Sequence, residues 1–334
     1  MVQTLTDKNI RQGIIVIVGP TAVGKTEVAV RVADEIGGEI VSADSRQVYR
    51  GLEIGTGAPT PEQLRRAKHH LVGFIDPDKR LSAGEFAKMA RSVIEDVRQR
   101  GKVPLIVGGS GLYIKAMIDG LSPVPPVDID VRIRIHEEIK SRGMEEMLSE
   151  LRSIDPEYAQ KVGINDRKRL IRALEVWRMT GKNFSDWHMI DDKEAWCEPM
   201  IYGLARPRGE LCNIIQERIN NMLNEGWVEE VNTLALKYGR IENLPPTVRE
   251  ALGYADIVQY IQGKKNLKET VESITISTRQ FAKRQMTWFK ADKRIQWREE
   301  SGDKAVFVWT EWIIRIINEL DLITSPKFRA ESLN

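Results

Sequence analysis

The stretch Gly19-Pro20-Thr21-Ala22-Val23-Gly24-Lys25-Thr26 constrains this chain more than any other. It follows the apolar run Ile14-Ile15-Val16-Ile17-Val18 and opens a helical pattern, the strand–loop–helix order of a phosphate-binding P-loop. In such a loop glycines let the backbone turn tightly enough for successive N–H groups and the helix N-terminus to converge on phosphate oxygens. Lys25 adds a mobile positive charge and Thr26 a hydroxyl suited to Mg²⁺. The motif leaves open whether the phosphate belongs to ATP, GTP or another diphosphate ester.

The chain has 334 residues, 42% hydrophobic and 29% charged, which is room for a large core plus one appended or inserted domain. Because the formal net charge is only +2, any nucleic-acid footprint has to come from local clustering. Residues 1–13 lack the basic-then-apolar order of a secretory signal, and no apolar run approaches the ~18 residues of a membrane span. A cytoplasmic location away from the membrane is therefore expected. Cys197 and Cys212 form no CxxC pair, and His69, His70, His136 and His188 show no metal-ligand spacing, so no zinc site is expected.

After the loop, Val28, Val32 and Ile36 with Gly37-Gly38 behind them read as a helix with a glycine stop. Glu39 to Ala43 reads as a strand that delivers Asp44-Ser45-Arg46-Gln47 at its carboxyl end, the edge where open α/β sheets bind ligands. Asp44 should face the P-loop, and an Asp there is equally suited to cap a turn. A short strand is expected around His69 to Ile75, with the two histidines used in packing. Ser82-Ala83-Gly84-Glu85 is a capping box opening a helix to about Arg100. Val103 to Val107 is the next strand, ending in Gly108-Gly109-Ser110-Gly111. Nucleotide-hydrolysing P-loop proteins end such a strand in an acidic Mg²⁺ ligand, so its absence argues against ATP hydrolysis.

From Leu121 the composition changes. Ser122-Pro123-Val124-Pro125-Pro126 reads as a linker, and 128–192 as a charged helical block. Within it Arg167, Lys168, Arg169, Arg172 and Arg178 can share one helix face while Leu170, Ile171, Leu174 and Trp177 fall at core-like spacing. The face suits a phosphodiester backbone or simply solvent. Trp196 to Ala205 returns the chain to the sheet, and Arg218 lies on the helix that follows, where its forked donors suit a diphosphate as well as a surface ion pair. A long helix is expected from about Leu267 to Lys290, with Ile274, Phe281 and Trp288 as its buried seam. Between Arg279 and Arg298 seven Lys/Arg stand against one acid, Asp292, a local basic patch. Val306 to Trp309 reads as a strand or a helix before an amphipathic helix, and the last eight or so residues are expected to be loose. The fold class is α/β: a P-loop NTPase-like parallel sheet flanked by helices, 1–120 with 195–334, and an inserted mainly helical domain, 121–194.

Five ordered blocks resemble the tRNA dimethylallyltransferase (tRNA isopentenylpyrophosphate transferase) family. They are the P-loop, Ser42-Ala43-Asp44-Ser45-Arg46-Gln47-Val48-Tyr49, Leu105 to Tyr113, Arg169-Leu170-Ile171-Arg172-Ala173-Leu174-Glu175-Val176 and Lys283-Arg284-Gln285-Met286-Thr287-Trp288. The resemblance implies transfer of a dimethylallyl group from its diphosphate to N6 of adenine 37 in tRNA, beside the anticodon, with Mg²⁺ required and the base drawn into a channel. It implies that Gly19, Pro20, Thr21, Ala22, Val23, Gly24, Lys25 and Thr26 hold the diphosphate, Thr26 with its Mg²⁺, and that Arg218 clamps the same group. Asp44 would accept the adenine amine proton and Ser110 would touch the reacting centre. Contacts to tRNA would come from Asp44, Ser45, Arg46, Gln47, Ser110, Arg132, Lys168, Arg169, Leu170, Ile171, Arg172, Arg249, Gly253, Tyr254, Lys283, Arg284, Gln285, Trp288 and Lys290. The inserted domain would then bind tRNA, and the protein is expected to be a monomer.

Three other functions compete: a small-molecule kinase, which would leave the basic helices idle; an adenylate isopentenyltransferase, which would leave the insertion idle; and a non-catalytic RNA-binding protein, which would not need Lys25, Thr26 and Asp44 together.

Overall fold

A computed structural model of the chain describes residues 12–189 and 195–319. The expected loose tail lies outside the described residues, as does nearly all of the N-terminal stretch. Helices of eight residues or more are numbered here α1 (Lys25–Ile36), α2 (Ala83–Gln99), α3 (Gly111–Asp119), α4 (Ile129–Ile154), α5 (Arg167–Thr180), α6 (Arg208–Asn224), α7 (Trp227–Lys237), α8 (Tyr254–Ile261), α9 (Leu267–Lys290) and α10 (Ala305–Glu319).

The apolar run before the P-loop is strand β1 (Gln12–Val18). A strand covered on both faces needs no polar alternation, and Ile14 to Val18 are all buried. Ile15 and Ile17 point into one core cluster, Ile14, Val16 and Val18 into the other. The remaining strands are β2 (Glu39–Ser42), β3 (His69–His70), β4 (Pro104–Gly108), β5 (Glu198–Ala205) and β6 (Ile295–Glu299). They form one six-stranded sheet in the order β3-β2-β4-β1-β5-β6. Every pairing in it is parallel, with Val18 beside Gly108 and Gly203, and Ser42 beside Val107. All carboxyl ends therefore share one rim, and the adjacency of β2, β4 and β1 brings Asp44, Ser110 and the P-loop side by side.

Local signals behave as their chemistry dictates. Gly24 (φ 112°) opens α1 and Gly37 (φ 62°) closes it, both in the left-handed region that glycine tolerates. Ser82 and Glu85 exchange the reciprocal hydrogen bonds of a capping box. His70 Nε2 contacts the buried Glu39 carboxylate at 2.7 Å and His69 Nδ1 the Ala67 carbonyl at 2.8 Å, packing roles in both cases. One reading is corrected and one open alternative is decided. The buried stripe of α9 runs through Ile274, Thr278, Ala282, Gln285 and Phe289, so Phe281 is half-buried and Trp288 is 43% exposed. Val306 to Trp309 is helical, the first turns of α10.

The described residues fall into two compact units, one reaching Ile118 and resuming at Trp196, the other Asp119–Ala195. The second has its own core, including Ile135, Leu148, Leu170, Ile171 and Leu174. At its centre the fully buried Glu175 accepts from Arg132 Nη2 and Arg172 Nη1, both at 2.8 Å. Arg178 pairs with Glu138 and Glu150, and Arg169 with Asp166. Much of the basic face read on α5 is thus engaged in internal ion pairs. Among the described residues no helix is long and apolar enough to cross a membrane.

Candidate active site

The P-loop is held in a shape its sequence could not keep alone. Gly19 (φ 151°) lies so close to β5 that a Cβ there would come within 2.6 Å of the Leu204 carbonyl oxygen. Ala22 takes φ 66°, a left-handed conformation that costs a residue with a Cβ about 1 kcal/mol. Supports come from distant segments. Arg206 Nε donates to the Val23 carbonyl at 3.2 Å, and Gln285 Oε1 accepts from the Thr21 N–H at 2.8 Å. Inside the loop Lys25 Nζ donates to the Pro20 carbonyl at 2.7 Å.

Three charged side chains act on one another at this loop: Lys25, Asp44 and Arg218. Burial lowers the Lys25 pKa to about 7, opposed by the negative charge of Asp44 and reinforced by the positive charge of Arg218. Arg218 is itself lowered by burial, with Asp44 and then Glu225 pulling the other way. Each is therefore within electrostatic range of the other two. Desolvated cations on a P-loop are an incomplete assembly: an arriving polyanion would offset the burial cost of both and favour the charged form of Lys25.

Asp44 answers to both readings given above. Its Oδ1 accepts from the N–H groups of Arg46 (2.8 Å) and Gln47 (3.3 Å), capping the turn, and Oδ2 stays uncommitted among the described residues. Ser110 stands opposite, its Oγ accepting from the Ser45 N–H at 2.8 Å and lying 3.2 Å from Ser45 Oγ. The two hydroxyls close the rim between β2 and β4. Gln47 Nε2 donates to the Gly57 carbonyl at 2.9 Å, and Arg218 packs on Gly57 where any Cβ would collide with its guanidinium.

Beside Ser45 and Ser110 opens a cavity of about 300 Å³, walled by Tyr113, Phe281, Arg284, Gln285 and Trp288. Its apolar lining and volume fit a planar ring or a short branched hydrocarbon. Gly111 has no side chain because the Trp288 indole nitrogen occupies the space of its Cβ.

The structure thus brings together Gly19 to Thr26, Asp44, Ser45, Ser110, Arg218, Arg284, Gln285 and Trp288. Lys283 and Lys290 are exposed on α9, and Lys168 is exposed on α5. Other residues named from the resemblance are used elsewhere. Arg46 donates to the Thr247 carbonyl at 3.0 Å and pairs with Glu250, and Arg249 donates to the carbonyls of Ile241 and Glu242. Gly253 backs onto Trp227. Tyr254 is buried, its hydroxyl donating to Glu230 at 2.6 Å, while Leu170 and Ile171 are core. Glu230, Arg206 and the loop-bracing part of Gln285 were missed. Glu230 accepts from the N–H groups of Ile54 (2.7 Å) and Gly55 (3.1 Å), so it fixes the loop on which Arg218 rests.

These features define a P-loop protein of a particular kind, in which β4 ends in Gly108-Gly109 and the acid next to the cradle comes from β2 instead. The IPP transferase family matches residues 47–292. The tRNA dimethylallyltransferase of Geobacter sulfurreducens is 42% identical over 289 residues, 86% of this chain and 91% of that protein. The solved tRNA isopentenylpyrophosphate transferase of Bacillus halodurans is 31% identical, covering 92% of this chain and 99% of its own, with a TM-score of 0.65. A eukaryotic dimethylallyltransferase acting on tRNA shares the fold at 23% identity, with a TM-score of 0.76 over 94% of this chain and 80% of its own. The chain belongs to the IPP transferase family, as the five sequence blocks implied.

Proposed function

We propose that this chain transfers the dimethylallyl group from dimethylallyl diphosphate to N6 of adenine 37 in tRNA, releasing diphosphate. The observation that carries the reading is the juxtaposition on one sheet rim of a P-loop bearing Lys25, of Asp44 with Oδ2 unengaged among the described residues, and of Arg218 seated on Gly57, whose carbonyl bonds the Asp44 turn: two cations for a leaving group and one carboxylate for a proton.

In this reading the P-loop N–H groups, Lys25 and Arg218 receive the diphosphate. Charge that develops on the bridging oxygen as the C1–O bond breaks is met by donors already in place, so little reorganisation is needed. The adenine amine attacks C1 from the opposite side, the N6–C1 bond forms, and Asp44 Oδ2 takes the proton that N6 loses. Exocyclic N6 is a poor nucleophile within a stacked loop, so extrusion of the base and in-line alignment supply much of the rate. The apolar cavity beside Ser110 supports such a position.

Mg²⁺ fits the donor set. It is commonly held by one or two protein oxygens together with substrate phosphates and water. Thr26 offers a hydroxyl in the first turn of α1, and among the described residues no cluster of three His, Cys, Asp or Glu competes for a metal. When bound, the ion would neutralise charge on the leaving diphosphate. The exposed lysines of α5 and α9 would lie along the tRNA backbone.

The test is incubation of the full chain with dimethylallyl diphosphate, Mg²⁺ and unmodified tRNA, followed by nucleoside mass analysis. N6-dimethylallyladenosine at position 37 is the expected product. Parallel arms with free adenylate, and with ATP plus small-molecule acceptors, test the isopentenyltransferase and kinase alternatives; product only in one of those arms overturns the proposal.

A further inference from the structure

Gln285 occupies a place on α9 that the helix otherwise gives to core residues, between Ala282 and Phe289, and is 6% exposed. Both ends of its amide are used. Oε1 accepts from the N–H of Thr21, third residue of the P-loop, at 2.8 Å, and Nε2 donates to the Gly109 carbonyl at 3.0 Å. The fit is tight, since a Cβ on Gly109 would collide with the Gln285 amide nitrogen. The side chain therefore fills the gap between the start of the loop and the end of β4.

That gap has a known use in other P-loop proteins. Where a nucleoside triphosphate is bound, the strand beside the loop ends in an acid that helps hold the Mg²⁺ bridging the last two phosphates. The terminal phosphate then lies between that strand end and the loop's first amides. Here the strand end carries no acid, and an early amide is already taken by a neutral side chain. Displacing Gln285 would leave a buried amide without partners, which burial makes costly.

We propose that Gln285 is a specificity-determining plug that occupies the place of a third phosphate and restricts the cradle to diphosphates. The inference rests on the reading above that the cradle takes a diphosphate. It gives the chain a means of refusing ATP, the abundant anion that a P-loop would otherwise accept. The residue acts on ligand choice through the loop it braces, without touching the reacting atoms.

The test is calorimetric titration of the full chain, in Mg²⁺, with inorganic diphosphate and inorganic triphosphate. The wild type should prefer diphosphate by about tenfold or more, the worth of one charge-assisted hydrogen bond. Gln285→Ala opens the space and frees the amide, so the preference should fall severalfold through gained triphosphate affinity. Gln285→Met fills the space without hydrogen bonds and should keep most of the exclusion. A purely structural role would weaken both anions together and leave their ratio unchanged. A wild type without preference, or a folded Gln285→Ala that discriminates as the wild type does, overturns the proposal. Should Gln285→Ala not fold, Gln285→Asn withdraws the amide by one methylene and is read by the same ratio. Dimethylallyl transfer is followed in parallel: a wild type that prefers diphosphate yet modifies no tRNA supports the plug while refuting the assigned reaction.

Discussion

The Arg218 guanidinium fills the space that a Cβ on Gly57 would need. Gly57 also takes φ 58° and offers its carbonyl to Gln47, so one glycine joins the arginine to the turn that carries Asp44. Gly57→Ala should cost about 1 kcal/mol of stability for the left-handed backbone. If Arg218 clamps the leaving group as proposed, its displacement should cost far more in turnover, about 10²-fold in kcat/KM. Steady-state kinetics beside a thermal melt check it, and a normal kcat/KM would separate Arg218 from the diphosphate.

Asp44→Asn keeps the Oδ1 cap on Arg46 and Gln47 but removes the carboxylate proposed to accept the proton. The melting temperature should stay nearly constant while kcat falls by about 10²–10⁴-fold with tRNA affinity unchanged. Single-turnover rates with saturating tRNA measure this; a large loss of affinity at normal kcat would assign Asp44 to binding.

Lys25 carries a pH signature. Its pKa of about 7 in the free protein must rise when a diphosphate arrives, so above pH 7 binding takes up a proton. Affinity should then fall as pH climbs from 7 to 9. Calorimetry in buffers of different ionisation heat should detect the proton in the wild type and not in Lys25→Met. Stability has the opposite slope: the pKa lies below its ordinary 10.5, so the penalty of burying the charge is complete below pH 7 and fades as pH rises toward 10.5. Lys25→Met should therefore stabilise more at pH 6 than at pH 10.

Glu175→Gln should destabilise the 119–195 unit by about 2 kcal/mol, a buried-pair loss discounted for the partial exposure of Arg132 and Arg172. Denaturant melts monitored in that unit provide the measurement. An unchanged melt would mean that the two arginines are held by other contacts.

Lys283→Ala should weaken tRNA binding uniformly across sequences and reduce the slope of log affinity against log salt by about 1 at most. Filter binding over a salt series decides. An unchanged slope would leave Lys283 as a solvated charge.

The cradle, its flanking elements and the helical insertion were legible because each is encoded locally: glycines at fixed offsets, a continuous apolar strand, the Ser82 capping box, a proline-rich break at 122–126. The α9 seam was not. Ile274 is buried as read, but taking Phe281 and Trp288 as its continuation assumed that core positions are apolar, whereas the helix buries Thr278 and Gln285 and leaves Trp288 half outside. The signal available was a polar residue between Ala282 and Phe289 on one face, which only a distant partner can satisfy. In the insertion, the charges of Arg132, Arg172 and Arg178 were visible and their carboxylate partners were not, because Glu175 and Glu138 meet them only in the folded unit. The partner of Tyr254 was hidden for the same reason, its hydroxyl donating to Glu230 from a distant element.

Thr21 and Gln285 stand 264 positions apart, and the hydrogen bond between them closes the cradle. A growing polypeptide emerges from its amino end, so the phosphate loop goes without this brace until the 264 positions that follow it have been made. Nascent chains stopped before α9 would carry the whole motif and yet lack the brace, so the loop is completed only once α9 has been made.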